Sequence, residues 1–248
     1  MRFKKKYGQH FLTDKNIAKK ITNAFLQNIM TTTAIEIGPG HGILTHELFK
    51  TNGYTIKCID IDPDCTNWLI KQFPEHSASL VTGDFLEYEI KEPVSILGNF
   101  PYNISSQIVF KILQEREKIP LLVGMFQKEV AERIVSKPNN KAYGILGVLT
   151  QAFYTCECLF TVDGNVFQPP PKVKSTVIKL IRNDRFLSMD EYTALKYLVK
   201  KAFGQRRKML RNSLAEFSER LPENFKTKRP EQLTVNDFIE ISNICRKK

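Results

Sequence analysis

The stretch NFPYNIS, from Asn99 to Ser105, places an amide, a proline and a phenol ring directly after an apolar run. The amide oxygen of Asn99 and the carbonyl oxygen of Pro101 accept hydrogen bonds, and the ring of Tyr102 offers a flat apolar face. Together these groups could hold a planar ring with an amino group, such as a nucleic-acid base unstacked from its neighbours. The alternative is an Asx-Pro turn that ends a strand, with Tyr102 packed on the core.

A glycine-rich loop, EIGPGHG, follows an earlier apolar run and precedes a helical pattern. Gly38, Gly40 and Gly42 permit a tight turn and a close approach of a ligand to the backbone. The spacing is not GxGxxG, which weakens a dinucleotide interpretation, and no Gly-Lys-Ser/Thr follows, as a P-loop requires. The loop alone is therefore a weak indication of a cofactor site.

Two acidic residues stand at the ends of the next two predicted strands. Asp60 is at the distance where an acid can reach ribose hydroxyls, and Asp84 of TGDF could accept from an adenine amino group. Either acid alone could be a helix cap or a solvated turn residue. A glycine loop and two acids that converge on the carboxyl edge of one sheet instead predict an adenosine cofactor without phosphates, S-adenosylmethionine.

With this cofactor, the chemistry predicted for the NFPY turn is methyl transfer to the exocyclic nitrogen of adenine. That nitrogen is a poor nucleophile, because its lone pair is delocalised into the ring. Acceptors at Asn99 and Pro101 would favour a pyramidal nitrogen with its lone pair aimed at the methyl donor, and Tyr102 would hold the base in line. No strong general base is needed, since the proton leaves readily once the nitrogen is alkylated.

Alternating strand and helix patterns position these residues. Apolar runs at AIEIG, TIKCIDI, SLVTGD, VSILGNF and LLVGMF alternate with helical patterns, which predicts βαβ units and a parallel sheet. YGILGVLTQAFY predicts a further helix, and CECLFTV and STVIKLIRN predict an antiparallel pair at the sheet edge. The predicted fold class is α/β, a Rossmann-like class I SAM-dependent methyltransferase sheet with helices on both faces, plus a small all-α C-terminal domain.

The chain changes character after Arg182. EYTALKYLVKKAFGQRRKMLRNSLAEF has helical periodicity and contains no acidic residue from Tyr192 to Ala215. A last helix is predicted in RPEQLTVNDFIEISNIC, with Thr234 as its N-cap. The residues predicted to form the core face of the basic segment are Tyr192, Tyr197, Phe203 and Leu210. The predicted domains are a methyltransferase domain, residues 1–183, and a basic helical domain that binds RNA or the ribosome, residues 184–248.

The charge of the chain predicts a polyanionic partner. Of its 248 residues, 37 are Lys or Arg and 26 are Asp or Glu, a formal net charge of +11. Nucleic acid and an anionic membrane surface both fit this excess, and the alternative is a merely solvated basic face. The strongest clusters are MRFKKK at the N-terminus and a C-terminal set: Lys196, Lys200, Lys201, Arg206, Arg207, Lys208 and Arg211.

The sequence gives no indication of a membrane span, a secretory signal, a disulfide framework or a zinc site. No apolar run approaches the roughly 20 residues that span a bilayer, and the basic N-terminus is not followed by a signal-like apolar segment. The odd number of cysteines argues against a disulfide framework, and their spacing matches no zinc pattern. The expectation is a cytoplasmic monomer with reduced thiols, no resident metal and no membrane partner. The five cysteines are Cys58, Cys65, Cys156, Cys158 and Cys245.

The sequence resembles the KsgA family of ribosomal RNA adenine N6,N6-dimethyltransferases, which act on small-subunit (16S) rRNA in bacteria. The motifs behind this resemblance run in order along nearly the whole chain: GQHFL, EIGPGHGILT, GDFLEY, GNFPYNISSQI, FQKEVAERI, YGILGV, FQPPPKVKSTVIKL and AFGQRRKMLRNSL. The last motif favours this family over the related erythromycin-resistance methyltransferases, which act on 23S rRNA. The implied partner is rRNA within the small ribosomal subunit or its precursor.

The resemblance implies a cofactor site for S-adenosyl-L-methionine. His10 and Leu12 of GQHFL would close over its methionine end, and Gly38 would underlie it. Asp60 would hold the ribose, and Asp84 the adenine. Bacterial members often have Asn where His10 stands and usually Glu where Asp60 stands. Neither departure removes the chemistry.

For the target adenine, the resemblance implies contacts with Asn99, Pro101 and Tyr102. Asn99 would also contact the cofactor, and Phe167 of FQPPP would stack on the other face of the base. NFPY replaces the commoner NLPY. Phe100 lies between the two hydrogen-bonding positions, so it is predicted to tune the turn rather than the chemistry.

Other functions compete with this interpretation. An assembly factor that occupies an immature ribosomal subunit by RNA binding would need only the basic surface. Intact Gly38, Asp60, Asp84 and Asn99 argue against a lost activity, but not against a dual role. DNA adenine and protein glutamine methyltransferases use related Asn-Pro-Pro-Tyr turns, and Phe100 and the basic C-terminal segment argue against both. The related transcription-factor branch is a weaker option, since nothing indicates an organelle import segment.

Overall fold

The computed structural model describes Lys4 and residues 7–246, so of the basic cluster MRFKKK only Lys4 lies within the described residues. The chain forms two compact units. Unit 1 comprises Met1–Ala131 and Glu157–Arg182, and unit 2 comprises Glu132–Cys156 and Asn183–Lys248.

Unit 1 is organised around a seven-stranded sheet with the strand order β4-β3-β2-β5-β6-β9-β7. The first five strands in this order, β4, β3, β2, β5 and β6, pair in parallel with their neighbours. Strand β9 pairs antiparallel with β6. A separate antiparallel pair joins β1 and β8. The strands are β1 (Phe11–Leu12), β2 (Thr33–Ile37), β3 (Thr55–Asp60), β4 (Leu80–Thr82), β5 (Val94–Asn99), β6 (Leu121–Gln127), β7 (Tyr154–Val162), β8 (Phe167–Gln168) and β9 (Ser175–Arg182).

The sheet agrees with the α/β prediction. Strands β2, β5 and β6 are buried along almost their whole length, as expected of parallel strands covered on both faces. CECLFTV and STVIKLIRN become β7 and β9, which are hydrogen-bonded neighbours at the sheet edge. The helices of the first part of the chain are α1 (Lys15–Leu26), α2 (Ile43–Leu48), α3 (Pro63–Gln72), α4 (Ser105–Gln114) and α5 (Lys128–Val135).

Unit 2 contains helices from two separate stretches of the chain. Helix α6 packs against α7 and α10, which explains why residues 132–156 join this unit. Sequence patterns place residues 132–156 in the predicted domain 1–183 instead, because local patterns do not reveal which distant helix covers them. The helices are α6 (Ile145–Gln151), α7 (Met189–Gly204), α8 (Leu210–Ser213), α9 (Glu223–Lys226) and α10 (Val235–Arg246).

The basic segment of unit 2 is divided where a continuous helical pattern was expected. Helix α7 ends at Gly204, and α8 begins at Leu210. Of the predicted core face, Tyr192 and Leu210 are buried, and Phe203 is partly buried. Tyr197 is 47% exposed, so its assignment to the core was wrong.

The predicted N-cap of the last helix is confirmed. The hydroxyl of Thr234 accepts from the backbone N–H of Asp237 at 3.1 Å, and the Asp237 carboxylate accepts from the N–H of Thr234 at 2.7 Å. This reciprocal pair satisfies backbone donors at the start of α10 that the helix itself leaves without partners.

Two absences concern only Lys4 and residues 7–246. In that part of the chain, no helix combines the length and the apolar character needed to cross a membrane. The same residues contain no group of three or more His, Cys, Asp or Glu side chains arranged to hold a metal ion.

Candidate active site

A cavity of about 290 Å³ lies at the carboxyl edge of the sheet. Four predicted residues from four successive βα crossings line it. Gly38 follows β2, Asp60 ends β3, Asp84 follows β4 and Asn99 ends β5. Pro101, Tyr102 and His10 complete the predicted residues in its wall. The structure thus brings together the glycine loop, the two acids and the NFPY turn.

The glycine loop is held open by positive φ angles and by backbone hydrogen bonds. Gly38 has φ 66° and donates its N–H to the carbonyl oxygen of Ile59 at 2.9 Å. Gly40 has φ 56°, and a Cβ there would lie 2.6 Å from the ring of Phe11. Glycine is therefore required at Gly40 both by the backbone conformation and by the close ring.

Asp60 fastens this loop to the end of β3. Its Oδ2 accepts from the N–H of Gly40 at 3.0 Å, and its Oδ1 accepts from the N–H of Asp62 at 2.8 Å. Burial raises the pKa of the Asp60 carboxyl above its ordinary value. Each carboxylate oxygen can accept a second hydrogen bond, so Asp60 can also serve a ligand hydroxyl. The short Asp side chain suits this position because it reaches the loop backbone directly.

Asp84 is the second acid of the cavity wall. Its Oδ1 accepts from the backbone N–H of Leu86 at 2.8 Å, and its side chain is only partly buried. The turn that follows β4 therefore fixes one oxygen of the carboxylate. The other oxygen remains able to accept from a ligand amino group or hydroxyl.

The amide of Asn99 is oriented by the backbone of the N-terminal segment. Its Nδ2 donates to the carbonyl oxygen of His10 at 2.9 Å. A carbonyl oxygen can only accept, so the NH2 side of the amide is used here and Oδ1 is left as an acceptor. The Pro101 carbonyl accepts from the N–H of Ile104 at 3.2 Å and retains a second lone pair. Two acceptors, two positions apart in the sequence, therefore stand in the cavity wall.

The ring of Tyr102 is fixed at both ends of its side chain. Its hydroxyl lies 2.6 Å from the hydroxyl oxygen of Ser175, and burial raises the pKa of the phenol. The imidazole of His10 stacks on this ring, with centroids 5.1 Å apart. The Nδ1 of His10 lies 2.8 Å from the carbonyl oxygen of Pro169, so Nδ1 carries the proton of that bond.

Leu12 and Phe167 are not brought to the cavity. They pair with each other in the β1–β8 ladder, and each side chain is only 4% exposed within the hydrophobic core. Neighbouring residues of a strand face opposite sides, so Phe11 lines the cavity and Leu12 turns away from it. The structure therefore provides no contact through which Phe167 stacks on a base in this cavity.

Sequence reasoning did not identify Phe11 as part of the site. Its ring lies parallel to the imidazole of His41, with centroids 3.9 Å apart and an interplanar angle of 12°. The motif GQHFL marked this segment, but only the strand direction of β1 shows which side chain faces the cavity. The segment is also tied down by Lys4 and Gln9, which contact the Asp62 carboxylate at 2.6 and 2.9 Å. No local pattern indicates that long-range contact.

Fold and cavity together define the class of protein: a class I methyltransferase, with an open α/β sheet and a cofactor edge built for an adenosyl ligand. A family model described as ribosomal RNA adenine dimethylase matches residues 1–247. The chain belongs to this family.

Individual relatives agree with this assignment. Ribosomal RNA small subunit methyltransferase A of Porphyromonas gingivalis is 48% identical over 250 residues, which is 96% of each chain. A crystal structure of a dimethyladenosine transferase from Plasmodium falciparum superposes with a TM-score of 0.79 at 25% identity, covering 94% of this chain and 96% of that one. The 23S rRNA methyltransferase ErmE has a TM-score of 0.69 at 24% identity, covering 94% and 99%, and shares the fold.

S-adenosyl-L-methionine is the cofactor of this class, and the cavity fits it. The glycine loop leaves room for a ligand against the backbone, since Gly38 presents no side chain to the cavity. Asp60 and Asp84 supply acceptors for hydroxyl and amino groups, without a basic cluster for phosphates among the residues that line the cavity.

Proposed function

We propose that the protein transfers methyl groups from S-adenosylmethionine to the N6 nitrogen of adenosines in small-subunit (16S) rRNA, twice at each target base. The observation that carries this proposal is the orientation of Asn99. Because its NH2 group is used by the His10 carbonyl, its oxygen is set as an acceptor beside the Pro101 carbonyl. Two acceptors and a flat ring suit the exocyclic amino group of a base, and membership of the ribosomal RNA adenine dimethylase family favours adenine as that base.

The chain's own residues supply positioning for this reaction. When bound, the cofactor supplies an electrophilic methyl group on a sulfonium. Asn99 Oδ1 and the Pro101 carbonyl accept from the two N6 hydrogens and favour a pyramidal nitrogen. The Tyr102 ring stacks on the base, and its neutral phenol stays bonded to Ser175. Positioning of this kind removes much of the entropic part of a barrier.

The proposed cofactor contacts are divided among five residues. Gly38 underlies the ligand, Asp60 holds the ribose, Asp84 holds the adenine amino group, and His10 covers the methionine end together with Phe11. Leu12 and Phe167 contribute indirectly in this proposal, because their ladder holds β1 in place. The core burial of both side chains supports that indirect role.

The proposed setting is a cytoplasmic monomer that binds the small subunit or its precursor. The five cysteines form no disulfide with one another among the described residues, which suits a reducing compartment. The basic residues of unit 2 are proposed to neutralise rRNA phosphates and so to place the cavity beside its target. In the domain division that we propose, residues 132–156 belong with this RNA-binding part.

Transfer to purified small ribosomal subunits that lack the modification tests the reaction. Labelled cofactor should yield dimethyladenosine, identified by mass spectrometry of rRNA fragments. Asn99→Ala should lower kcat by about a hundredfold or more, because it removes an acceptor aimed at the reacting nitrogen. Asn16→Ala, on the exposed side of α1, is the matched control and should retain full activity. Methyl groups found on another base or only on protein would refute the proposal.

A second role in subunit assembly is favoured by exposed cations of unit 2 whose side chains have no ion pair among the described residues: Lys200, Arg207, Lys208 and Arg211. Asn99→Ala separates the two roles, since it leaves that surface unchanged. If the inactive variant restores subunit maturation in a strain lacking the gene, RNA binding carries the assembly role. If it fails while still binding the subunit, methyl transfer carries it.

A further inference from the structure

A groove of about 620 Å³ lies within unit 2, apart from the residues of the methyltransferase cavity. Its volume is within the roughly 300–1,000 Å³ range of small-molecule sites. One wall comes from the C-terminal half of α7, and the other comes from α8 and the residues after it. The lining residues are Tyr197, Lys200, Lys201, Gly204, Gln205, Asn212, Ser213, Ala215 and Glu216.

Tyr197 presents a fixed aromatic ring in this groove. It is 47% exposed, and its hydroxyl donates to the Glu216 carboxylate, at 3.0 Å from one oxygen and 3.2 Å from the other. The ring edge meets Phe217, with centroids 6.4 Å apart and planes at 89°. Lys201 lies 3.5 Å from Glu216 and so offsets its charge, and its ammonium also stands over one face of the Tyr197 ring, 5.6 Å from the ring centroid. An exposed ring held at its hydroxyl and edge loses little further freedom when a planar ligand stacks on it.

The cations around the groove fall into two sets. Arg206 is engaged within the unit: it contacts Glu231 at 2.7 Å and the carbonyl oxygens of Lys141 and Asn140 at 2.7 and 3.2 Å. The side chains of a second set are exposed and have neither an ion pair nor a hydrogen bond to the residues that the structure describes. Its members are Lys200, which lines the groove, and three residues that lie in sequence between residues that line it: Arg207, Lys208 and Arg211.

A buried hydroxyl in the groove wall adds an independent observation. The Oγ of Ser213 is buried and has no hydrogen-bond partner in the part of the chain that is described. Such groups are rare, and many are satisfied by a ligand or an ordered solvent molecule. The hydroxyls of Thr22 and Thr66 share this property outside the groove, so the Ser213 hydroxyl adds a polar group to the groove wall without identifying a ligand.

We propose that this groove binds one unstacked nucleotide of single-stranded RNA. The base stacks on Tyr197, and the phosphates on either side of it contact Lys200, Arg207 and Arg211. An aromatic platform beside uncompensated cations is the arrangement by which proteins bind single strands with little sequence preference. This inference rests on the proposed rRNA substrate and deepens it, because it assigns a second RNA contact outside the catalytic cavity.

Three variants of the full-length protein test the stacking role. Binding of a fluorescently labelled single-stranded RNA is measured by anisotropy at fixed salt. Tyr197→Ala should raise Kd by about fivefold or more, because stacking of one base is worth that much by alanine substitution. Tyr197→Phe keeps the ring and should stay within about twofold. Tyr54→Ala, a 37% exposed tyrosine of unit 1, is the matched control and should not change Kd.

Three outcomes would overturn the groove proposal. One is an unchanged Kd for Tyr197→Ala, and another is an equal loss for the Ala and Phe variants. The third is competition by poly-glutamate that is as effective as competition by unlabelled RNA, since an acidic protein would then be the better ligand.

Lys200→Ala should reduce the slope of log Kd against log salt by about one phosphate contact.

Measuring dimethyladenosine formation together with RNA binding distinguishes a failure of the groove proposal from a failure of the proposed reaction. If the wild-type protein yields no dimethyladenosine but the Tyr197 series behaves as stated, the reaction is wrong and the groove stands. If dimethyladenosine forms, Tyr197→Ala should raise KM for the subunit while kcat and the affinity for S-adenosylmethionine stay unchanged. A fall in kcat at saturating subunit would instead assign Tyr197 to the folding of unit 2 and refute the proposal.

Discussion

Glu36 is a carboxyl group buried beneath the glycine loop, where its protonation depends on the fold. One of its oxygens accepts from the Thr45 hydroxyl at 2.7 Å and from the Cys58 thiol at 3.5 Å. Burial, the largest effect, raises its pKa from 4.5 to about 7. Between these values the folded protein keeps a proton that the unfolded chain releases. The stability that Glu36 contributes is therefore complete below its ordinary pKa and is lost as the pH rises through 7.

Glu36→Gln removes this titration, so the variant should gain stability relative to the wild type as the pH rises. The relative gain between about pH 5 and about pH 8 should be on the order of 3 kcal/mol at most. The measurement is the free energy of unfolding of both proteins by denaturant at each pH. Other titrating groups are common to the two proteins and cancel in the difference. Parallel pH profiles would show that Glu36 is already ionised in the folded protein.

Phe100 is a packing residue within the catalytic turn. It is 1% exposed and meets Phe126 edge-on at 4.8 Å, and a Cβ on Gly124 would lie 2.1 Å from its ring. Phe100→Leu should cost about 1–2 kcal/mol of stability through incomplete filling of this space. Its kcat should stay within about threefold of the wild type, unlike that of Asn99→Ala. Thermal unfolding and initial rates below the melting transition measure the two effects, and equal rate losses in both variants would contradict this account.

The two residues of strand β1 face opposite sides, so their side chains have different roles. Phe11 lines the cavity and stacks on His41, whereas Leu12 packs in the core against the region of Phe167. Phe11→Ala should weaken S-adenosylmethionine binding by about tenfold, because it removes one wall of the cavity. Leu12→Ala should instead lower stability by about 2–3 kcal/mol with little change in affinity. Calorimetric titration and thermal unfolding of both variants check the contrast, and the reverse pattern would place Leu12 in the site.

The catalytic edge could be predicted at the level of elements because its signals are local. Asp60 and Asn99 each end an apolar run, and parallel strands bring such ends to one edge without further information. The position of Phe167 could not be predicted, since it depends on the pairing of β8 with a strand far away in sequence. The exposure of Tyr197 depends on how α7 ends and α8 begins. The error at Tyr197 falls where tertiary packing overrides a periodic pattern.

At the scale of the whole molecule, the net charge of +11 matters through the cations that remain free. Lys50, for example, lies 2.7 Å from the Glu47 carboxylate and is largely neutralised by that contact. Arg211 is exposed and has no such partner among the described residues. Cations without an ion pair, such as Arg211, can neutralise rRNA phosphates and release their counterions without first losing a partner. The net charge alone therefore overstates the number of cations that contribute to RNA affinity.

The KM for ribosomal subunits should therefore rise more than tenfold between about 50 mM and about 200 mM salt, as expected when on the order of three phosphates are neutralised. The KM for S-adenosylmethionine should change by less than about twofold, because no Lys or Arg among the described residues lines its cavity. Arg211→Ala should reduce the slope of log KM against log salt by nearly one contact, while Lys50→Ala should leave it unchanged. If both variants reduce the slope equally, RNA senses total charge rather than free cations. Measured slopes would then track composition instead of the pairing seen in the structure.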